Sequence, residues 1–208
     1  MEDVLDVYCR PYDPRFPVVN MDEQPIQMLS HVREPRPVAP GRVAREDYEY
    51  KREGTACAFL FTEALRGWRR VSARERRTSM DWAGEMRILL EEDYADAEKV
   101  ILVCDNLNTH KIASFYETFP PEMARSLAKR LEFHYTPKHG SWLNIAECEL
   151  SAMTRQCLDR RIPSLKVLRR ETKAWGRRRN AEQKAVDWRF TTKDARIRLK
   201  RLYPIIQT

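Results

Sequence analysis

Val100-Ile101-Leu102-Val103-Cys104 is an unbroken apolar run that stops at Asp105. A run this short, with three β-branched members, predicts a central strand covered on both faces. Such strands need helices on both sides, so the run points to an α/β fold. The flanking sequence agrees. Pro17-Val18-Val19-Asn20-Met21-Asp22 predicts a short strand ending on a second aspartate. Ala56–Phe61, the turn Leu65-Arg66-Gly67 and Trp68–Val71 predict a long antiparallel hairpin. Leu131–Tyr135 alternates like a further strand. Thr78 and Asp81 form a capping box before Met80, Ala83, Met86, Leu89 and Leu90, which share one helical face. Helices are also predicted over Ile112–Phe119, Pro121–Leu131 and Leu143–Leu158, and from Pro163-Ser164 onward. A last helix starts at the Thr191–Asp194 capping box and ends near Tyr203-Pro204. Residues 1–17, with three prolines, predict an extended segment, and the proline-rich residues 34–41 a loop. The sum is a mixed sheet of about five strands flanked by helices.

Composition narrows the function classes. The chain has 208 residues and five cysteines, none in a CxxC pair, which fits reduced thiols in a cytosol and not a disulfide framework or a structural zinc site. No apolar run approaches the ~20 residues that span a bilayer, and the acidic N-terminus lacks a signal-peptide core. Residues 151–208 carry 17 of the 38 Lys and Arg residues but only 5 of the 31 Asp and Glu. An acidic body with a basic C-terminal third suggests a polyanion partner, with nucleic acid first. The expected division is a body over 1–158 and a basic helical extension over 159–208.

Asp22 and Asp105 both end apolar strand runs, and strand ends converge where α/β sheets bind ligands. Buried together, two carboxylates repel each other. A divalent cation removes that penalty, and hard oxygen donors suit Mg²⁺. A third acid would complete a two-ion site. Glu147 and Glu149 are the candidates. They lie two apart on a predicted helix, so only one faces the site. If Leu143, Ala146 and Leu150 face the body, Glu147 lies beside that stripe and Glu149 points outward.

Four stretches then take on a recognisable form. They are Val18–Pro25 (VVNMDEQP), Tyr50–Ala56 (YKREGTA), Val103–His110 (VCDNLNTH) and Tyr135–Glu147 (YTPKHGSWLNIAE). Together they resemble the DDE transposases of the mariner superfamily, specifically the bacterial insertion-sequence branch called the IS-six-thirty group. The resemblance implies a ribonuclease-H-like fold and assigns the triad to Asp22, Asp105 and Glu147. It implies two Mg²⁺ ions, with Mn²⁺ as a substitute, and cleavage of DNA at element ends followed by strand transfer into target DNA. It also implies inverted-repeat and target DNA as partners, a homodimer, and a place at the bacterial nucleoid in the cytoplasm. Relatives usually carry N-terminal helix-turn-helix domains. Only 21 residues precede Asp22, so the expectation is a catalytic domain without them.

Further DNA contacts are expected at His110, Lys138 and His139, and at Arg160, Arg161, Arg169, Arg170, Arg177, Arg178 and Arg179. His110 has two other readings: it orients the site, or it is a helix-start histidine making a local hydrogen bond. Two alternatives stand beside the transposase: another ribonuclease-H-like nuclease, and a non-catalytic DNA-binding or dimerising remnant.

Overall fold

In the computed structural model, which describes residues 1–138 and 140–203, the apolar runs form one five-stranded sheet. The strands are β1 (Val18–His31), β2 (Tyr50–Glu63), β3 (Trp68–Arg74), β4 (Val100–Cys104) and β5 (Leu131–Tyr135). Their order is β3-β2-β1-β4-β5. β2 pairs antiparallel with both β1 and β3, whereas β4 pairs parallel with β1 and β5.

Period-two alternation sends neighbouring residues to opposite layers. Leu102, Phe59, Phe61 and Met21 face a core that includes Trp82, Met86, Phe115 and Leu127. The helices of this layer are α2 (Ser79–Ile88), α3 (Ile112–Thr118) and α4 (Pro121–Lys129). Both groups of the Thr78–Asp81 capping box are made, as the spacing predicts. Ala58, Leu60 and Ile26 face the other way, onto Leu150, Met153, Leu168 and Trp175. Those come from α5 (Ile145–Met153) and α6 (Leu165–Ala181). Ile101 and Val103 complete this face beneath Val4, Leu5, Val7 and Ala195.

Three features differ from the sequence expectation. Residues 1–17 are not extended throughout: α1 (Glu2–Tyr8) is a helix whose Val4, Leu5 and Val7 are buried. The prolines begin only at Pro11, after the helix has ended. β1 does not stop at Asp22 but runs on to His31. β4 pairs only with Val18–Asn20, so further along, β1 has a free edge on which Pro25 breaks no ladder to β4. The basic C-terminal stretch shares the body's cores. α6 contributes Leu168 and Trp175, and α7 (Thr192–Arg198) contributes Ala195. α7 ends at Arg198 and a 3-10 turn continues to Leu202, close to the end expected near Tyr203-Pro204; Pro204 itself lies outside the described residues. Among the described residues, no helix is long and apolar enough to cross a membrane.

If α1 belongs to the core, Leu5→Ala, at a fully buried position, should cost about 2–5 kcal/mol of unfolding free energy in urea titration.

Candidate active site

The β1–β4 register brings the two aspartates together. Asn20 pairs with Val103, and two residues further along each chain stand Asp22, still within β1, and Asp105, just past the end of β4. Beyond Cys104 the chain leaves the sheet while β1 continues, and the parting of the two strands opens a cleft. Asp22, Asp105, Asn106, Thr136, Lys138 and Asn144 line it. Asp22 also lines an adjoining cleft with Glu147, Thr154 and Arg155. Asp22 therefore stands between Asp105 on one side and Glu147 on the other.

Glu147 reaches this place through the start of α5. Asn144 is the helix N-cap, its Oδ1 accepting from Ala146 N–H at 3.2 Å. Its Nδ2 donates to the Met21 carbonyl at 2.9 Å, one residue before Asp22. One buried amide thus fastens the first turn of α5 to β1. Behind it, Tyr8 Oη donates to the Leu143 carbonyl at 2.6 Å and accepts from Asn20 Nδ2.

The Asp22 carboxyl is raised to about 6. Burial is the main cause, and the charges of Asp105 and Glu147 add to it against the 2.8 Å hydrogen bond from Glu23 N–H. All three acids offer hard oxygen donors, which suit a divalent cation. Among the described residues, however, no three such donors are gathered at one point within reach of a single ion. The acids flank the cleft with Asp22 shared between its two halves.

His110 lies in the interior. It is fully buried, with Nε2 2.9 Å from Glu23 Oε1 and Nδ1 2.6 Å from Asp105 Oδ1. Its ring stacks on Trp82 at 5.6 Å, and its carbonyl accepts from Tyr135 Oη at 2.9 Å. Burial alone would lower its pKa, but Asp105, the Cys104 thiol and Glu23 override that and hold the imidazole protonated. The ring is thus enclosed between Glu23 and Asp105, with Nδ1 also 3.3 Å from the Asp105 carbonyl. Glu23 is the residue sequence reasoning missed. It follows Val19 and Met21 on the buried face of β1, and a carboxylate there requires a buried cation.

Glu149 does not point outward, as the helix phase suggested. It is 4% exposed. Its oxygens accept from Arg69 Nε and Nη2 at 2.7 and 2.9 Å and from Arg179 Nη2 at 2.7 Å. Burial would raise its carboxyl, but Arg69 and Arg179 bring it below the usual range. Glu147, a little over half a turn away, is exposed.

The expected DNA-contact residues separate into groups. Lys138 is exposed on the cleft rim, and His139 lies outside the described residues. Arg179 is turned inward onto Glu149, and Arg161 donates to the Glu49 and Asp47 carbonyls, so both are engaged within the protein. Arg160 and Arg170 are exposed and share Glu171. Arg169 donates through Nε to the Ala73 carbonyl at 2.9 Å. Arg177 and Arg178 are exposed without a carboxylate partner among the described residues.

With this geometry the chain belongs to the DDE superfamily endonuclease family, whose model matches residues 17–169. Its ribonuclease-H-like fold is similar to that of the Mos1 mariner transposase. The Mos1 paired-end complex with Mn matches with a TM-score of 0.54 at 16% identity, covering 87% of this chain and 56% of that one. The Mos1 strand transfer complex matches at 0.55 and 14%, covering 87% and 55%. The Mos1 paired-end complex with the left transposon end matches at 0.55 and 15%, covering 87% and 56%. The chain thus spans little more than half the length of these proteins. No curated protein sequence matches it.

The two glutamates of α5 should separate in thermal denaturation. Glu149→Ala leaves Arg69 and Arg179 unpaired in the interior and should cost about 3–5 kcal/mol. Glu147→Gln, at an exposed position among like charges, should leave the midpoint unchanged or raise it.

Proposed function

We propose that the chain is the catalytic part of a DNA transposase of the bacterial IS-six-thirty-like branch, cutting phosphodiesters at element ends and joining them to target DNA. The observation that carries this reading is the meeting of Asp22 and Asp105 at one cleft where β1 and β4 part, with the Glu147 helix fastened beside them by Asn144. Two Mg²⁺ ions, or Mn²⁺ in their place, would be held by Asp22, Asp105 and Glu147. When bound, they would activate a water and stabilise the leaving 3′ oxygen.

The chain's own residues supply position and charge. Asp22 stands between both halves of the cleft and would hold the metal together with Asp105 on one side and Glu147 on the other. His110 fixes the Asp105 carboxylate from behind, so that its free edge is presented to the cleft. Asn144 sets the distance between Glu147 and β1. Lys138 and Arg155 flank the acids on the two rims and are placed to hold the phosphates next to the scissile one. The reaction needs no covalent enzyme intermediate. In strand transfer the freed 3′ hydroxyl takes the place of water. Partners would be element-end and target DNA, with two copies of the chain acting on paired ends.

The test uses a labelled duplex carrying an element end, with Mg²⁺. Asp22→Asn, Asp105→Asn and Glu147→Gln should each reduce cleavage to background while duplex binding persists, and chelation of the metal should do the same to the wild type. Full cleavage by any one of the three variants would overturn the triad.

A further inference from the structure

α6 carries four cations on one stripe. Lys166, Arg169, Lys173 and Arg177 recur at steps of three and four residues, so they project from the same side of the helix. All four are exposed, and among the described residues none has a carboxylate at ion-pair distance. Other arginines of the helix behave differently. Arg170 pairs with Glu171 and Arg179 with Glu149. Arg178 turns into a separate groove that it shares with Arg160 and Glu171.

The stripe forms one wall of a groove whose other wall is the edge strand β3. Arg169, Lys173 and Arg177 line it with Val71 and Gly176, and no acidic residue does. A Cβ added at Gly176 would meet nothing within 4 Å, so the groove is open there. None of its lining residues is among the exposed large apolar side chains of the protein.

The edge strand adds a donor. In an antiparallel ladder, alternate residues turn both backbone groups away from the partner strand. On β3 these are Arg69, Val71 and Ala73. The Asn180 side chain takes both groups of Arg69, accepting from N–H and donating to C=O at 2.8 Å each. The Arg169 guanidinium takes the Ala73 carbonyl. Between them the Val71 N–H opens onto the groove beside the cations.

We propose that this groove is a second binding track for duplex DNA, separate from the cleft and gripping the phosphate backbone without reading bases. β3 lies two strands from β1, about 10 Å across the sheet. Arg169, Lys173 and Arg177 follow one another about 6 Å apart along the helix axis, close to the step between neighbouring phosphates on one strand. A row of evenly spaced cations with a backbone amide and no acidic lining residue suits a regular polyanion. The inference does not depend on the chemistry of the cleft.

The test is fluorescence anisotropy of the whole chain on a non-specific DNA duplex, without divalent metal, across a salt series. Lys173→Glu combined with Arg177→Glu should weaken binding at least about tenfold near physiological salt and make the log K against log[salt] slope shallower by about two. A matched reversal at Arg125 and Lys129, exposed on α4 in the opposite layer, applies the same change of net charge elsewhere and should have a much smaller effect. Circular dichroism should show both variants folded, since all four side chains are exposed. Wild-type affinity and slope in the Lys173/Arg177 variant would overturn the proposal. So would an equal loss in the Arg125/Lys129 variant, or tighter binding of an RNA duplex than of the DNA. Because no cleavage is measured, failure here leaves the triad assignment untouched, and failure of the triad leaves this result readable.

Discussion

β1 serves two partners of different length, and the site exists because of that mismatch. Along β2 it is paired through most of its fourteen residues, while β4 follows it only over Val18–Asn20. Where β4 stops, β1 is left with one unpaired edge facing an opening. Strand divergence of this kind is where α/β sheets accept ligands. Asp22 lies at the first outward position past the parting. The opening is closed from one side only by the start of α5, held by Asn144 to Met21. Tyr8 of α1 links Asn20 to Leu143 and so braces the same corner.

The acids around this corner divide by whether the fold neutralises them. Glu23 and Asp105 share the buried His110, and Glu149 is held by Arg69 and Arg179. In the α2 layer, buried Glu85 is likewise met by Arg70, Arg74 and Ser72. Asp22 and Glu147 have no such partner among the described residues. The Asp22 carboxyl is correspondingly raised to about 6. A fold that gives Glu23, Glu85 and Glu149 internal cations but leaves half-buried Asp22 and exposed Glu147 facing a cleft has built a place where positive charge can come from outside. Buried ion pairs seldom add stability over apolar packing, so the His110 and Arg69 pairs serve chiefly to fix geometry. They hold Asp105 in one orientation and α5 in one phase.

Much of this was legible in the sequence, for physical reasons that differ by element. The five strands and the two capping boxes were readable because apolar period and cap chemistry are local. The pairing of Asp22 with Asp105 followed from the expectation that strand ends converge, although β1 does not end there. Residues such as Glu149 were misjudged because helix phase alone does not say what lies opposite. The turn of α5 that carries Glu149 faces Arg69, which is 80 positions away in the chain. α1 was hidden by the prolines that follow it, although Val4, Val7 and Tyr8 already have helical spacing. Glu23 is masked in the sequence by the more conspicuous aspartate beside it. Its place on the inward face of β1 was the available signal.

The basic C-terminal third shows how a charge count becomes a surface. Seventeen cations suggest one broad positive face, but α6 sorts its own by phase. Leu168, Thr172 and Trp175 define the inward stripe, and Arg179 falls on it one turn later, so it goes to Glu149. Lys173 and Arg177 fall two residues after Thr172's neighbour Glu171 and after Trp175 respectively, on the far side, and stay in solvent. Arg130 of the α4–β5 turn shows the same logic outside this helix: its guanidinium is turned onto the carbonyls of Leu90, Tyr94 and Ala97 and is not free to meet a phosphate. The electrostatic face presented to a polyanion is therefore smaller than the composition implies and more ordered. Its order is the helical repeat itself, which turns a run of charge in sequence into a spaced row in space.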